Sequence, residues 1–248
     1  MPILIEKEPI KKICLQKNID NWNNFNVMID VVKICEQVLV RLNRIGNEKD
    51  SHSESGQLIF PTKNDVKRIS EQELRQLFIE EFKEVSNNLY YSIETPTKSK
   101  YSFTNKFNKI KVADKDNKGQ SALIDMSVFK LKDNSYVRFF NIEFKHKNVT
   151  HNNISKDILK LMHEKEDGAF ILLLKNTDAG TLKSVFKKIS NSFDEHNKYW
   201  KGNESKFVQL VIISLEETTK IKTPFLKNRK VFQKDLKTIK ENIRHEWI

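Results

Sequence analysis

The sequence predicts an α/β protein: a mixed sheet of about five strands sandwiched between helices. Three observations carry this. Helix-like periodicity and strand-like alternation follow one another as helix, three strands, helix, strand, helix, strand. The run from Ala169 to Leu174 is continuously apolar, as suits a strand covered on both faces. Two β-branched and apolar runs, 121–129 and 139–145, flank Lys132-Asp133-Asn134-Ser135, a turn-forming cluster that predicts an antiparallel hairpin.

In chain order, residues 1–20 carry no clear pattern. From about 23 to 45, Val27, Met28, Val31, Cys35, Val38, Leu39 and Leu42 recur at helical spacing, with Gly46 as the stop. Residues 47–64 are polar and contain Pro61, which predicts a linker or exposed loop. A helix over 66–87 buries Leu74, Leu77, Phe78, Phe82 and Val85, and Ser70 with Glu73 fits a capping box. A strand over 89–95 precedes a basic loop or irregular hairpin over 96–117, and the hairpin follows. A helix over 154–166 presents Ile154, Ile158, Leu161 and Met162. Another, over 181–193, presents Leu182, Val185, Phe186, Ile189 and Phe193. Residues 207–214 form the last strand, and the basic tail holds a helix over 231–245. The chain thus divides into an N-terminal helical region with linker (1–64), a core (65–215) and a basic C-terminal tail packing on it (216–248).

Composition narrows the function. A formal charge of +11 over 248 residues favours an anionic partner, nucleic acid above all. An AT-rich genome gives the same Asn- and Lys-rich composition, so charge alone does not decide. The two cysteines, Cys14 and Cys35, form no Cys-x-x-Cys pair, which excludes a zinc ribbon and argues against a disulfide framework. With six glycines and no Gly-rich phosphate loop, an ATP-driven motor is not expected. No secretory signal or long apolar span is evident, so the expected location is cytoplasmic, with no membrane partner.

The hairpin carries the chemistry. Asp125 is embedded in one apolar run, and Glu143 and Lys145 in the other. Charges in apolar strands are costly unless paired or bound to a metal. Alternation places Glu143 and Lys145 on one face, and a hairpin can set Asp125 beside Glu143 on that face. Two carboxylates with a lysine can hold a hard divalent cation and stabilise an anionic centre. A solvated strand face would carry the same letters, but Phe139, Phe140, Ile142 and Phe144 surround this pair.

Asp125 followed by Glu143-Phe144-Lys145, with Ser70-Glu71-Gln72-Glu73-Leu74 on an upstream helix, resembles the PD-(D/E)xK nuclease superfamily over about residues 65–215. Ile124 stands where the family name has Pro. The resemblance implies a three-layer α/β/α restriction endonuclease-like core and Mg²⁺ or Mn²⁺ as cofactor. It implies Asp125, Glu143 and the main-chain carbonyl of Phe144 as metal ligands. Lys145 would orient the attacking water or stabilise the transition state, and Glu71 would hold a second ion or water network. Glu81, inside the apolar stripe, rivals Glu71 as the helix carboxylate. Nucleic-acid contacts are expected from Lys98, Lys100, Lys106, Lys109 and Lys111, interleaved with aromatics, and from His146, Lys147, His151 and Lys156 after the catalytic strand. The function so implied is a metal-dependent DNA endonuclease of prokaryotic restriction or anti-phage defence. A repair or recombination nuclease and a non-catalytic nucleic-acid-binding module are the alternatives. A homodimer through the N-terminal helix and a regulatory subunit are both compatible with it.

Overall fold

The computed structural model describes residues 29–50, 57–86, 88–104, 109–114, 119–218 and 221–239. The chain separates into two units, Met1–Asp30 and Val31–Ile248, and the fold is that of the second. Cys14, Lys106, the first turns of the predicted N-terminal helix and the end of the predicted C-terminal helix lie outside the described residues.

The unit is mixed α/β. Helix α1 (Val31–Arg44) precedes a two-stranded ribbon of β1 (Thr62–Lys63) and β2 (Val66–Lys67), and helix α2 (Glu71–Val85) follows. Then come β3 (Tyr90–Thr104), β4 (Lys109–Val112), β5 (Gln120–Lys132) and β6 (Ser135–His146). Helix α3 (His151–His163), β7 (Asp167–Leu174), α4 (Ala179–His196), β8 (Phe207–Thr218) and β9 (Ile221–Phe232) complete the order. Seven strands share one sheet in the order β4-β3-β5-β6-β7-β8-β9. The β6–β7 and β7–β8 pairs are parallel and the others antiparallel. Among the described residues no helix is long and apolar enough to cross a membrane.

The expected sheet of about five strands gains two. β4 comes out of the segment read as a basic loop or irregular hairpin; the hairpin alternative holds, because β3 continues past Pro96 to Thr104 and pairs with β4. Its pairing with β5 shifts register between Pro96 and Lys100, which accommodates a residue that cannot donate to a ladder. β9 comes out of the segment read as a basic tail. As an edge strand it carries Lys227, Arg229 and Lys230, and such charges hide a strand pattern while guarding an edge. Of the helix expected over 231–245, the described residues give the end of β9 to Phe232, a 3₁₀ stretch, Gln233–Lys237, and a helical Ile239, and the rest lies outside them.

Alternation along the strands gives the sheet two covered faces. Phe144 meets Phe78 of α2 edge-on, with ring centroids 5.3 Å apart, on the face that α1 and α2 cover. On the other face, Phe170, Leu172, Val208, Leu210 and Ile212 pack against Ile158 and Leu161 of α3 and Val185 and Ile189 of α4. Each such side chain contributes roughly 1.5–3 kcal/mol on burial. α1, read from sequence as part of a separate region, packs on α2 and over β8 and β9 through Ile34, Cys35, Val38 and Leu42.

Two details set α3 on the sheet. A side chain at Gly168 would lie 2.8 Å from Leu161 Cδ2 and 3.1 Å from the Asn141 carbonyl, so glycine permits the close approach. At the C-terminal end of α3, buried Glu164 accepts from the amides of Lys98 (3.0 Å) and Ser99 (2.9 Å) and pairs with Arg138. This ties the irregular stretch of β3 to the helix.

Candidate active site

Asp125 and the Glu143-Phe144-Lys145 run meet where the β5–β6 ladder ends, one residue beyond the Met126–Ile142 pair. There the Phe144 amide donates to Asp125 Oδ2 at 2.8 Å, a carboxylate taking the place of a ladder carbonyl. Glu143 and Lys145 point to the α3 face, and α3 answers with two charges of its own. Lys145 Nζ lies 2.9 Å from Asp157 Oδ2 and 3.3 Å from Glu71 Oε1, and donates to its neighbour's carbonyl, Phe144 O, at 2.8 Å. Lys160 Nζ lies 2.6 Å from Glu143 Oε1 and 2.9 Å from Asp157 Oδ1, and donates to Leu123 O at 2.8 Å. The result is an alternating chain, Glu71–Lys145–Asp157–Lys160–Glu143, with Asp125 beside it.

Burial grades along this chain. The Glu143 and Asp157 side chains are 0% and 1% exposed, Lys145 12% and Glu71 35%, so the site opens to solvent at its Glu71 end. The charge states follow. Burial pushes the Glu143 carboxyl well above its usual range; Lys160 opposes this, while Asp157 and Asp125 reinforce it. Asp157 is as deep, but it sits between Lys160 and Lys145, and these outweigh burial and hold it below the ordinary value. Burial works against both ammoniums, yet the carboxylates win. Asp157, Glu71 and Asp125 hold Lys145 above the usual lysine value, and Asp157, Glu143 and Asp125 do the same for Lys160. Lys145 is therefore a cation at neutral pH and not a base. Burial also raises Glu71, with Lys145 opposing and Asp125 adding to the rise.

Of the two helix carboxylates, Glu71 reaches Lys145, while Glu81 pairs with Arg41 of α1 at 3.3 Å. Glu73 accepts from the Ser70 amide at 2.8 Å and the Ser70 hydroxyl accepts from the Gln72 amide, so the capping box turns the start of α2 toward β6. Asp157 and Lys160 are absent from the sequence-derived set. A signal for Asp157 exists: it stands three residues after Ile154 and four before Leu161, inside the buried stripe of α3. Lys156, expected as a nucleic-acid contact, is only partly buried; Lys160, one turn later, faces the sheet.

The expected metal ligands are partly engaged. Phe144 O accepts from Lys145, and Glu71 pairs with the same lysine. Among the described residues no group of three His, Cys, Asp or Glu side chains is gathered to hold an ion. A hard ion such as Mg²⁺ does not need three, since it is commonly held by one or two carboxylates with several waters. Asp125 and Glu143 meet that requirement. Glu143 Oε2 is buried with no hydrogen-bond donor, and Glu71, Asp125, Glu143 and Asp157 outnumber Lys145 and Lys160. An orphaned carboxyl oxygen in a buried site with more carboxyl groups than ammoniums is what a divalent cation satisfies, in exchange for the proton that burial favours on Glu143.

The residues expected to grip nucleic acid do not form one surface. Lys98 pairs with Glu166 beyond the C-terminal end of α3, and Lys100 donates to the Ser121 hydroxyl at 3.0 Å. Lys109 and Lys111 of β4 face Lys156 of α3 across a cleft of about 310 Å³. His151 lies beside Glu195 at 3.9 Å. His146 and Lys147 instead line a second cleft at the far end of β6. Burial pushes the His146 pKa down to about 4, and Lys147 and Lys175 push the same way, so His146 is neutral at physiological pH and no cationic phosphate ligand.

Comparison with protein-family models, curated proteins and solved structures finds no match to this chain.

Proposed function

We propose that this protein is a divalent-metal-dependent endonuclease that hydrolyses phosphodiester bonds in DNA, with a restriction endonuclease-like core. The observation that carries the reading is the buried, donor-less Glu143 Oε2 next to Asp125, in a site whose carboxylates outnumber its ammoniums. Asp125 and Glu143 would hold the ion, joined by the Phe144 carbonyl if Lys145 moves off it. When bound, such an ion supplies activated water near neutral pH and neutralises charge on the phosphate.

The protein's own groups do the rest. Lys145, kept protonated by Asp157 and Glu71, presents a cation to the negative charge that grows on the phosphoryl oxygens. Asp157 orients both lysines, one with each oxygen. Lys160 holds Glu143 at its Oε1 and leaves Oε2 for the ion. Glu71, at the solvent-facing end, is suited to take a proton from water attacking there. The net charge of +11 supports a polyanionic substrate.

The test is cleavage of supercoiled plasmid with Mg²⁺, Mn²⁺ or EDTA by wild type, Asp125→Ala and Lys145→Ala. The expected outcome is nicking that needs the metal. It should fall about 10²–10³-fold in Lys145→Ala and vanish in Asp125→Ala, with DNA binding retained. Equal cleavage by all three proteins would reject the site.

A further inference from the structure

A second cleft, of about 700 Å³, opens at the same end of the sheet as Lys145 but on the opposite face. It lies beyond the carboxyl ends of β6, β7 and β8, where His146 and Lys147, Leu173 to Lys175, and Leu215 line it; in open α/β sheets this is the end at which ligands bind. The β1–β2 ribbon and the segment leading into α2 form the other wall, with Lys63, Lys67 and Arg68. The cleft therefore gathers five cations: Lys63, Lys67, Arg68, Lys147 and Lys175. Among the described residues its one carboxylate, Asp65, is already paired with Lys49. Lys63, Arg68, Lys147 and Lys175 are exposed, and none has an ion-pair partner among the described residues.

The cations are held by built structure. Asn64 and Asp65 both have positive φ, 53° and 61°, the signature of a tight two-residue turn that fixes Lys63 against Val66. Lys147 also has positive φ, 70°, and its amide donates to Leu173 O at 2.7 Å, pinning it beside β7. Lys67 Nζ donates to Ile45 O. Like charges gathered on a concave wall repel one another, and an anionic occupant relieves that repulsion. Leu42, Ile69 and Leu173 give it an aliphatic lining, and among the described residues no Phe, Tyr or Trp lines it. A base would find nothing to stack on, so the recognisable part is the phosphate backbone and not a nucleobase. The cleft joins the candidate active site through the chain itself: Ile69 stands two residues before Glu71, and His146 follows Lys145.

We propose that this cleft binds the sugar-phosphate backbone of the DNA strand flanking the phosphodiester that is cut, with Lys63, Arg68, Lys147 and Lys175 as its phosphate ligands. The assignment rests on the nuclease reading for the word "cut", but the binding it describes is measurable without cleavage.

The experiment uses the full chain in EDTA with a fluorescein-labelled DNA duplex, read by anisotropy over a salt series. The proteins are wild type, Lys63→Ala/Arg68→Ala and Lys147→Ala/Lys175→Ala. Each double variant is expected to weaken binding and to lower the slope of log affinity against log salt by about two, near 0.9 for each phosphate no longer neutralised. Thermal unfolding checks that the variants fold, and Lys175→Gln alone carries the same test at a slope change of about one. Unchanged affinity and slope would overturn the proposal. So would tight binding of ATP that the variants lose while duplex binding stays as in wild type, which would make the cleft a nucleotide site. Binding that depends on the cleft in a protein that never nicks plasmid would uphold the cleft and sink the nuclease.

Discussion

Three lysines largely withdrawn from water lie on or against α3, and burial gives them opposite fates. Lys145 and Lys160, along the middle of the helix, meet carboxylates within 3.3 Å and are held above the ordinary lysine value. Lys206, at the C-terminal end of the helix, is just as deep. Its Nζ donates to main-chain carbonyls, Met162 O at 2.8 Å and Glu164 O, and lies 5.2 Å from the centre of the Trp200 ring. Burial there wins over the more distant Asp167, Glu166 and Glu164, and the pKa falls to about 8. Partner geometry, not depth, sets charge. The candidate active site is the region where carboxylates keep two lysines charged out of water, and the region near Lys206 shows what the same residue does without such partners.

The largest effect should come from breaking the paired region. Lys160→Ala leaves Glu143 and Asp157 buried with one fewer cation, and a loss of about 3–5 kcal/mol is expected in urea unfolding. A loss under about 1 kcal/mol, the scale of an exposed ion pair, would mean that water already screens the site. Next comes Asp157→Asn, which takes a carboxylate from both lysines at once. Plasmid nicking should fall by about 10–100-fold, the scale for a residue that orients reacting groups. The Lys145 ammonium, followed by NMR, should titrate lower than in wild type. An unmoved titration would remove Asp157 from the account.

Lys206 sharpens the comparison through pH. Its pKa in the folded chain lies below the unfolded value, so the stability it allows is present above the unfolded pKa and is lost as pH falls through the folded one. Between pH 8 and 10.5 wild type should therefore gain stability on Lys206→Met as pH rises. A flat difference across that window would show that Lys206 has water access. The smallest effect is that of the ion on stability. Glu143 has a raised folded pKa, so its contribution is full below the unfolded pKa and is lost as pH rises through the folded value. A cation neutralises the ionised carboxylate over that same rise. The melting-temperature gain from Mg²⁺ should grow with pH, on the order of 1–2 kcal/mol for an ion at about ten times its Kd. Glu143→Gln should abolish the pH dependence of the gain.

The site was legible in the sequence where a charge interrupts an apolar strand. Asp125, Glu143 and Lys145 announce themselves because burying a charge needs a reason. Glu71 follows from a capping box that places it at a helix start. Asp157 and Lys160 are harder to see, because charges on a helix are ordinary and only their position within the buried stripe distinguishes them. The central strands were legible because they are apolar. β9 was not, and β4 only as one of two alternatives, since edge strands are made polar by the need to discourage further pairing, and Pro96 breaks the pattern of β3 without ending it. The basic cleft escaped because Lys63, Arg68, Lys147 and Lys175 come from three separate segments that only the fold brings together.

The parallel centre of the sheet has a kinetic consequence. β3 to β6 can pair with strands close to them in the chain, and β8 with β9 likewise, so these blocks close short loops and form early. The β6–β7–β8 centre must wait for α3 and α4 to cross over. Lys145 needs Glu71 from before the first block and Asp157 from the crossover after it. A chain still emerging from the ribosome thus carries the hairpin and Glu71 before Asp157 and Lys160 of α3 have followed. The charged cluster around Lys145 is complete only once α3 has packed on the sheet.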